Sequence, residues 1–113
     1  MSTSSSKRRT TAPRRAWFVY VIRARGGVLY VGITLDVQRR FDMHVAGSGA
    51  KFLRGRAPLE LAYRRKLGDH GLALRVELRI KRLSKLDKEA LVRTQPSRAR
   101  LLARVGIPSA ECA

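Results

Sequence analysis

The sequence predicts a small α/β domain of the α+β kind, in which a β-hairpin feeds a short helix and a third strand precedes further helices. Three observations predict it. Trp17 to Ile22 and Val28 to Ile33 are aromatic and β-branched runs on either side of a glycine-containing turn, the pattern of a hairpin. Val37, Phe41 and Val45, and later Leu72, Val76, Ile80 and Leu83, recur at helical spacing. A hydrophobic fraction of 44% over 113 residues suits one folded domain and argues against global disorder.

Residues 1–15 read as a disordered basic tail. Ser2 to Ser6 is of low complexity, Lys7-Arg8-Arg9 and Arg14-Arg15 are basic, and nothing there can build a core. Its acid-free, Ser- and Arg-rich composition is also that of an organelle transit peptide. It lacks an evident amphipathic helix, however, so it is read as an arm adding nonspecific phosphate affinity. The domain is expected over residues 16–95. In the hairpin, cross-strand partners share a face and alternate residues switch it. Tyr20 and Tyr30 therefore share a face only if the loop has an odd number of residues. The three-residue loop Arg25-Gly26-Gly27 meets that condition, with a glycine in the left-handed position.

Asp36 is a suitable N-cap for a helix opening at Val37, with Val37, Phe41 and Val45 as its buried stripe. Arg40 and His44 stand one turn apart immediately beside that stripe. Gly47-Ser48-Gly49 ends the helix, Ala50 to Pro58 is a basic loop, and Leu59 to Arg65 is a third strand. Asp69 to Leu83 fits both an alternating strand pattern and a helical stripe. Its Leu, Ala, Arg, Glu and Lys content and the cap at Asp69 favour helix. Ser84 with Asp87 opens another helix to about Thr94, which Gln95-Pro96 breaks. Residues 96–113 are read as a short helix, Ser97 to Val105, and a tail.

Charge narrows the partner. Twenty-five Lys and Arg against eight Asp and Glu give +17 and a pI near 11.7, with Arg far more frequent than Lys. Such a balance points to a polyanion, above all nucleic acid, and Arg suits bidentate phosphate contacts. Cys112 is the only cysteine, so one chain can build neither a disulfide nor a cysteine zinc site; this fits a reducing compartment and a cytoplasmic location. No apolar run approaches the roughly 20 residues that span a bilayer, so no membrane partner is expected.

Taken alone, two strand tyrosines read as core residues. Together with Gly32, Thr34, Asp36, Arg39-Arg40, His44 and Glu77 in this order and spacing, they resemble the GIY-YIG nuclease family, most closely its small stand-alone YhbQ-type members. The GIY element stands here as Phe18-Val19-Tyr20, without its glycine, and the YIG element as Tyr30-Val31-Gly32. Gly49-Ala50-Lys51, Leu53-Arg54-Gly55 and Leu72-Ala73-Leu74-Arg75 with Glu77 carry the likeness to the YhbQ-type members. The likeness covers Trp17 to Thr94. It implies a small three-stranded antiparallel sheet flanked by helices. It also implies hydrolysis of DNA phosphodiester bonds with one divalent metal ion, magnesium in most members, held by the glutamate. Some members place a basic residue directly after YIG to activate a tyrosine; here that position is Ile33.

The resemblance assigns roles. Tyr20 or Tyr30 would activate water. An ordinary tyrosine is phenolate in only about one molecule in a thousand at neutral pH, so nearby positive charge from Arg40, His44, Lys51 and the metal is expected to lower the value. Arg40 would clamp the phosphate, and His44 would position a tyrosine or shuttle a proton. Glu77 would ligate the metal, against the plainer reading of an exposed carboxylate paired with Arg75 and Arg79. Gly32 would permit close approach, while Arg39, Lys51, Arg54 and Arg56 would track the DNA backbone. The expectation is a metal-dependent endonuclease acting on DNA, with branched, nicked or damaged forms as candidate substrates. The alternative is a basic nucleic-acid-binding module of the same fold with little or no catalysis.

Overall fold

The computed structural model describes residues 15–108. The N-terminal basic tail before Arg15 and the end after Pro108, with Cys112, lie outside the described residues. Within them the chain runs β1 (Trp17–Arg23), β2 (Leu29–Thr34), α1 (Val37–Val45), β3 (Glu60–Gly68), α2 (His70–Lys81), α3 (Lys85–Thr94) and α4 (Arg98–Arg104). The three strands form one antiparallel sheet in the order β2–β1–β3, so the first strand is the central one. No helix among the described residues is long and apolar enough to cross a membrane.

The hairpin closes on the predicted Arg25-Gly26-Gly27 turn. Both glycines take positive φ, and the Ala24 N–H donates to the Val28 carbonyl at 2.8 Å. That odd loop sets the register Tyr20 opposite Gly32 and Ile22 opposite Tyr30. Both tyrosines therefore stand on one face of the sheet, and Val19, Val21 and Val31 on the other. Arg23 pins the hairpin to α3 through a two-pronged pair with Glu89, both contacts 2.8 Å. Lys85 joins the same carboxylate at 2.9 Å and also donates to the Gly27 carbonyl. Arg23 and Lys85 hold the Glu89 carboxyl down at about 2.

The valine face carries the main core. Leu72, Ala73, Val76 and Ile80 of α2, Leu91 of α3, and Leu101 and Leu102 of α4 close over it. Val105 and Ile107 join them, so residues beyond 95 share the core of the sheet. The ambiguous stretch after Asp69 is a helix. Asp69 caps it by accepting from the Leu72 N–H at 2.8 Å, and Leu72, Val76 and Ile80 are its buried stripe. Ser84 and Ser97 cap the next two helices in the same way, accepting from Asp87 N and Arg100 N.

Three expectations need correction. The third strand runs past Arg65 to Gly68, because Trp17 pairs with Gly68 and Leu67 enters the core. The helix expected over Asp69 to Leu83 stops at Lys81, leaving Leu83 beyond it. Val45 is not in the buried stripe of α1: it is 59% exposed, and His44 takes the place instead. At 3.6 residues per turn, the face that Val37 and Phe41 turn toward the sheet continues at position 44, while position 45 rotates outward.

The outer edge of β3 is occupied by side chains. Gln95 Nε2 donates to the Ala62 carbonyl and Arg98 Nε to the Leu67 carbonyl, each at 2.8 Å.

Candidate active site

The tyrosine face is covered by α1 and the loop that follows it, and here the residues singled out above come together. Tyr20 is 2% exposed, on the central strand. His44, also 2% exposed, is the only buried polar or charged residue among those described. Asp36 starts α1 as predicted, accepting from the Arg39 N–H at 3.1 Å, and this sets the rotation that aims His44 at the sheet. Tyr20 Oη and His44 Nε2 are 3.0 Å apart. The Tyr20 and Tyr30 rings lie 6.4 Å apart centre to centre, and His44 meets the edge of Tyr30 at 5.6 Å.

The direction of the hydrogen bonds follows from one backbone group. The Ala50 N–H donates to His44 Nδ1 at 3.0 Å. The neutral ring then carries its proton on Nε2, and that proton is donated to Tyr20 Oη. Burial, reinforced by the charge of Arg40, lowers the pKa of His44, so the ring stays neutral at neutral pH. Tyr20 thus receives a hydrogen bond from a neutral imidazole, with no positive charge from it.

At Tyr20 the expected lowering of the pKa by positive charge comes from Arg40 and is outweighed. Burial is the largest influence and raises it; Arg40 opposes the rise through hydrogen bonding and charge, while Tyr30 and Glu77 add to it. Tyr20 is therefore protonated at neutral pH. The same influences place Arg40 and Glu77 close enough to Tyr20 for each to affect it. Glu77 is the carboxylate whose charge adds to the rise at this hydroxyl.

Glu77 pairs with Lys81, one turn along, at 3.3 Å. The pairing with Arg79 expected for a plain surface carboxylate is not formed: Arg79 donates to the Val105 carbonyl at 2.6 Å instead. Among the described residues, no three His, Cys, Asp or Glu side chains gather into a metal site. The chain therefore offers one carboxylate oxygen donor group. That set fits a magnesium-like cation, which takes one or two carboxylates and leaves other positions to water and phosphate. The Lys81 partner is half-exposed and weakly held, so it presents little barrier to exchange.

Two glycines make room for this cluster. A Cβ on Gly32 would lie 2.5 Å from Tyr20 Oη, so Gly32 lets the tyrosine hydroxyl lie directly over its backbone. A Cβ on Gly49 would lie 2.2 Å from His44 Nδ1. The sequence assigns Gly49 to helix termination and Ala50 only to the start of the basic loop. Their part in orienting His44 is visible in sequence only as the Gly49-Ala50-Lys51 string.

The remaining basic residues are placed differently from one another. Lys51 and Arg54 are exposed on the loop, while Arg56 lies over the Phe52 ring at 4.4 Å and donates to the Phe52 carbonyl at 2.7 Å. Phe52 is 46% exposed and stacks with Tyr30 at 6.0 Å, extending the aromatic cluster to the surface; nothing in the linear sequence marked it. Arg39 is exposed at the start of α1, beside half-buried Arg40.

Comparison with known proteins identifies the family of the chain. The family model of the GIY-YIG catalytic domain matches residues 16–90. A UPF0213 protein of Klebsiella pneumoniae is 52% identical over 89 residues, covering 79% of this chain and 84% of its own. The UPF0213 protein YhbQ of Escherichia coli is 48% identical over 92 residues, covering 81% of this chain and 92% of its own. Among solved structures, the solution NMR structure of a UPF0213 protein from Bacillus halodurans is 32% identical. It matches 82% of this chain and 99% of its own, with a TM-score of 0.48.

Proposed function

The chain belongs to the GIY-YIG family, and from that premise we propose that it is a metal-dependent endonuclease hydrolysing DNA phosphodiester bonds. The observation that carries this reading is the gathering of Tyr20, Tyr30, Arg40 and His44 on one face of the sheet, with Glu77 close enough for its charge to act on Tyr20. A net charge of +17 supplies the attraction to a polyanion.

The two tyrosines divide the work. Tyr20 is buried, protonated and held by His44, so it organises the site and can donate its own proton to a phosphate oxygen. Tyr30 is only half-buried and is the tyrosine that water and substrate can meet; it orients the attacking water. His44 positions Tyr20. With Nδ1 occupied by the Ala50 N–H, it is set up as a fixed donor and not as a proton carrier. Arg40 reaches Tyr20 from one side and the open surface from the other, where its guanidinium neutralises charge developing on the phosphate. Glu77 would hold the cation, whose chemistry when bound is charge neutralisation at the phosphate and the leaving oxygen.

The test replaces Glu77 with Gln, which preserves shape and removes charge. On a panel of plain, nicked, flapped and single-stranded DNAs with magnesium, cleavage should fall by about two orders of magnitude or more. DNA binding without metal should persist or tighten slightly. Equal rates for the two proteins at matched folding would remove Glu77 from the mechanism.

One observation favours the second reading, a binding module of this fold with little catalysis. Ile33, where some members carry a basic helper, pairs with Val19 and packs against the main core, away from the tyrosines. A wild-type protein that binds the whole panel and cuts none of it would establish that reading instead.

A further inference from the structure

A cleft of about 730 Å³ opens where β1 begins and β2 hands the chain to α1. Arg40 is the residue it shares with the site described above. Arg15 and Arg39 line it too, and neither has an acidic partner among the described residues. Asp36 also borders the cleft, but its carboxylate is turned to the Arg39 N–H as the helix cap. Ala16, Ile33, Thr34, Leu35 and Met43 complete the lining with Trp17, the single tryptophan of the chain, which packs partly against the main core and which the mechanism does not use. Its indole stacks on His70 with centroids 4.2 Å apart and planes at 28°, so it is braced at a fixed angle and still lines the cleft.

An aromatic ring set among unpaired guanidiniums is the chemistry that receives an unstacked nucleobase and its phosphate. The cleft is open to solvent, and its volume lies in the range of about 300–1,000 Å³ typical of small-ligand sites, room for a single nucleotide. A base within a duplex is stacked on its neighbours and cannot offer its face to Trp17.

We propose that this cleft is a subsite for one unpaired nucleotide adjoining the phosphate held by Arg40, with the base against Trp17 and the flanking phosphate on Arg15 and Arg39. The proposal rests on the nuclease reading for the place of the reacting phosphate. It names the substrate class: DNA with at least one unpaired nucleotide beside the cut, as at a flap, a gap or a frayed nick.

Because Trp17 is the only tryptophan, its fluorescence reports the contact directly in the full-length protein. Titrations without divalent metal should compare a duplex bearing a one-nucleotide flap, the same flap lacking its base, and a blunt duplex. The base-bearing flap should quench the emission strongly, and the other two should not. By anisotropy of labelled DNA, Trp17→Ala should weaken flap binding about tenfold and blunt-duplex binding by less than about twofold, with Trp17→Phe keeping most of the preference. Equal quenching by the baseless flap, or equal losses on flap and blunt DNA, would overturn the subsite. Should Trp17→Ala fail to fold, the wild-type quenching and the Trp17→Phe affinities decide. No cleavage is required, so the two ideas fail separately. Quenching by the flap from a protein that cuts nothing retires the nuclease and keeps the subsite. Cleavage without base-dependent quenching does the reverse.

Discussion

The two faces of the sheet bury their residues by different means. The valine face is closed by leucines, isoleucines and valines from α2, α3 and α4. Its Tyr63 hydroxyl is satisfied by donating to the Pro96 carbonyl at 2.7 Å. The tyrosine face buries an imidazole and a phenol, each polar atom matched to a named partner, over glycines that keep the backbone thin. Apolar burial is non-directional and tolerates swaps of similar volume. A buried polar network holds only while every member keeps its partner. The valine face should therefore govern stability, and the tyrosine face activity.

Four measurements can break or sharpen that division. Leu101→Ala, at a position with no exposed surface, should lower unfolding free energy by about 2–5 kcal/mol in denaturant titrations. Its cleavage rate per folded molecule should not change; a collapse at matched folding would mean the faces are not separable. Arg40→Ala should do the opposite, slowing cleavage about 10²–10³-fold, an effect of about 3–4 kcal/mol on the transition state. Its unfolding free energy should move by only about 1 kcal/mol. Gly49→Ala tests the boundary between the two kinds of effect. The added methyl has nowhere to go beside His44, and overpacking should remove about 1–3 kcal/mol of stability. It should also shift the imidazole resonances of His44, and unchanged resonances would show that the loop can yield.

The smallest effect is pH dependence. The folded protein disfavours protonated His44, so its pKa in the native state lies below the unfolded value. The stability it contributes is complete above the unfolded value and is lost as pH falls from there through the lower folded value. Comparing wild type with His44→Gln from about pH 7 to about pH 5 cancels His70 and the carboxylates, and the wild type should lose more stability. Parallel profiles would show that His44 is not held neutral by its surroundings.

What the sequence reveals follows the same division. The helix caps at Asp36, Asp69 and Ser84 are local chemistry and are readable, whereas Ser97, read as the first residue of its helix, is its cap. The shared face of Tyr20 and Tyr30 is readable too, because strand parity is arithmetic on loop length. The exchange of Val45 for His44 is not, since a hydrophobic stripe ranks valine above histidine and only the facing Tyr20 reverses that order. At Tyr20 the charge of Arg40 lowers the pKa as the sequence suggests, but burial outweighs it. Positive charge nearby is visible in sequence, whereas the depth of burial that outweighs it depends on packing across both faces. Gly49 and Ala50 act on His44 through a backbone N–H and a missing side chain, features that leave little trace in residue type.

The occupied edge of β3 has a consequence for crowding. A chain this basic is attracted to polyanions, and a polyanion that neutralises like-charged copies would bring them side by side. An open strand edge would then be a template for sheet growth from one copy to the next. Gln95 and Arg98 have already taken the Ala62 and Leu67 carbonyls, and Arg64 and Lys66 stand exposed along the same strand. An approaching strand meets two engaged carbonyls and positive charge, which makes this edge a poor template for sheet growth.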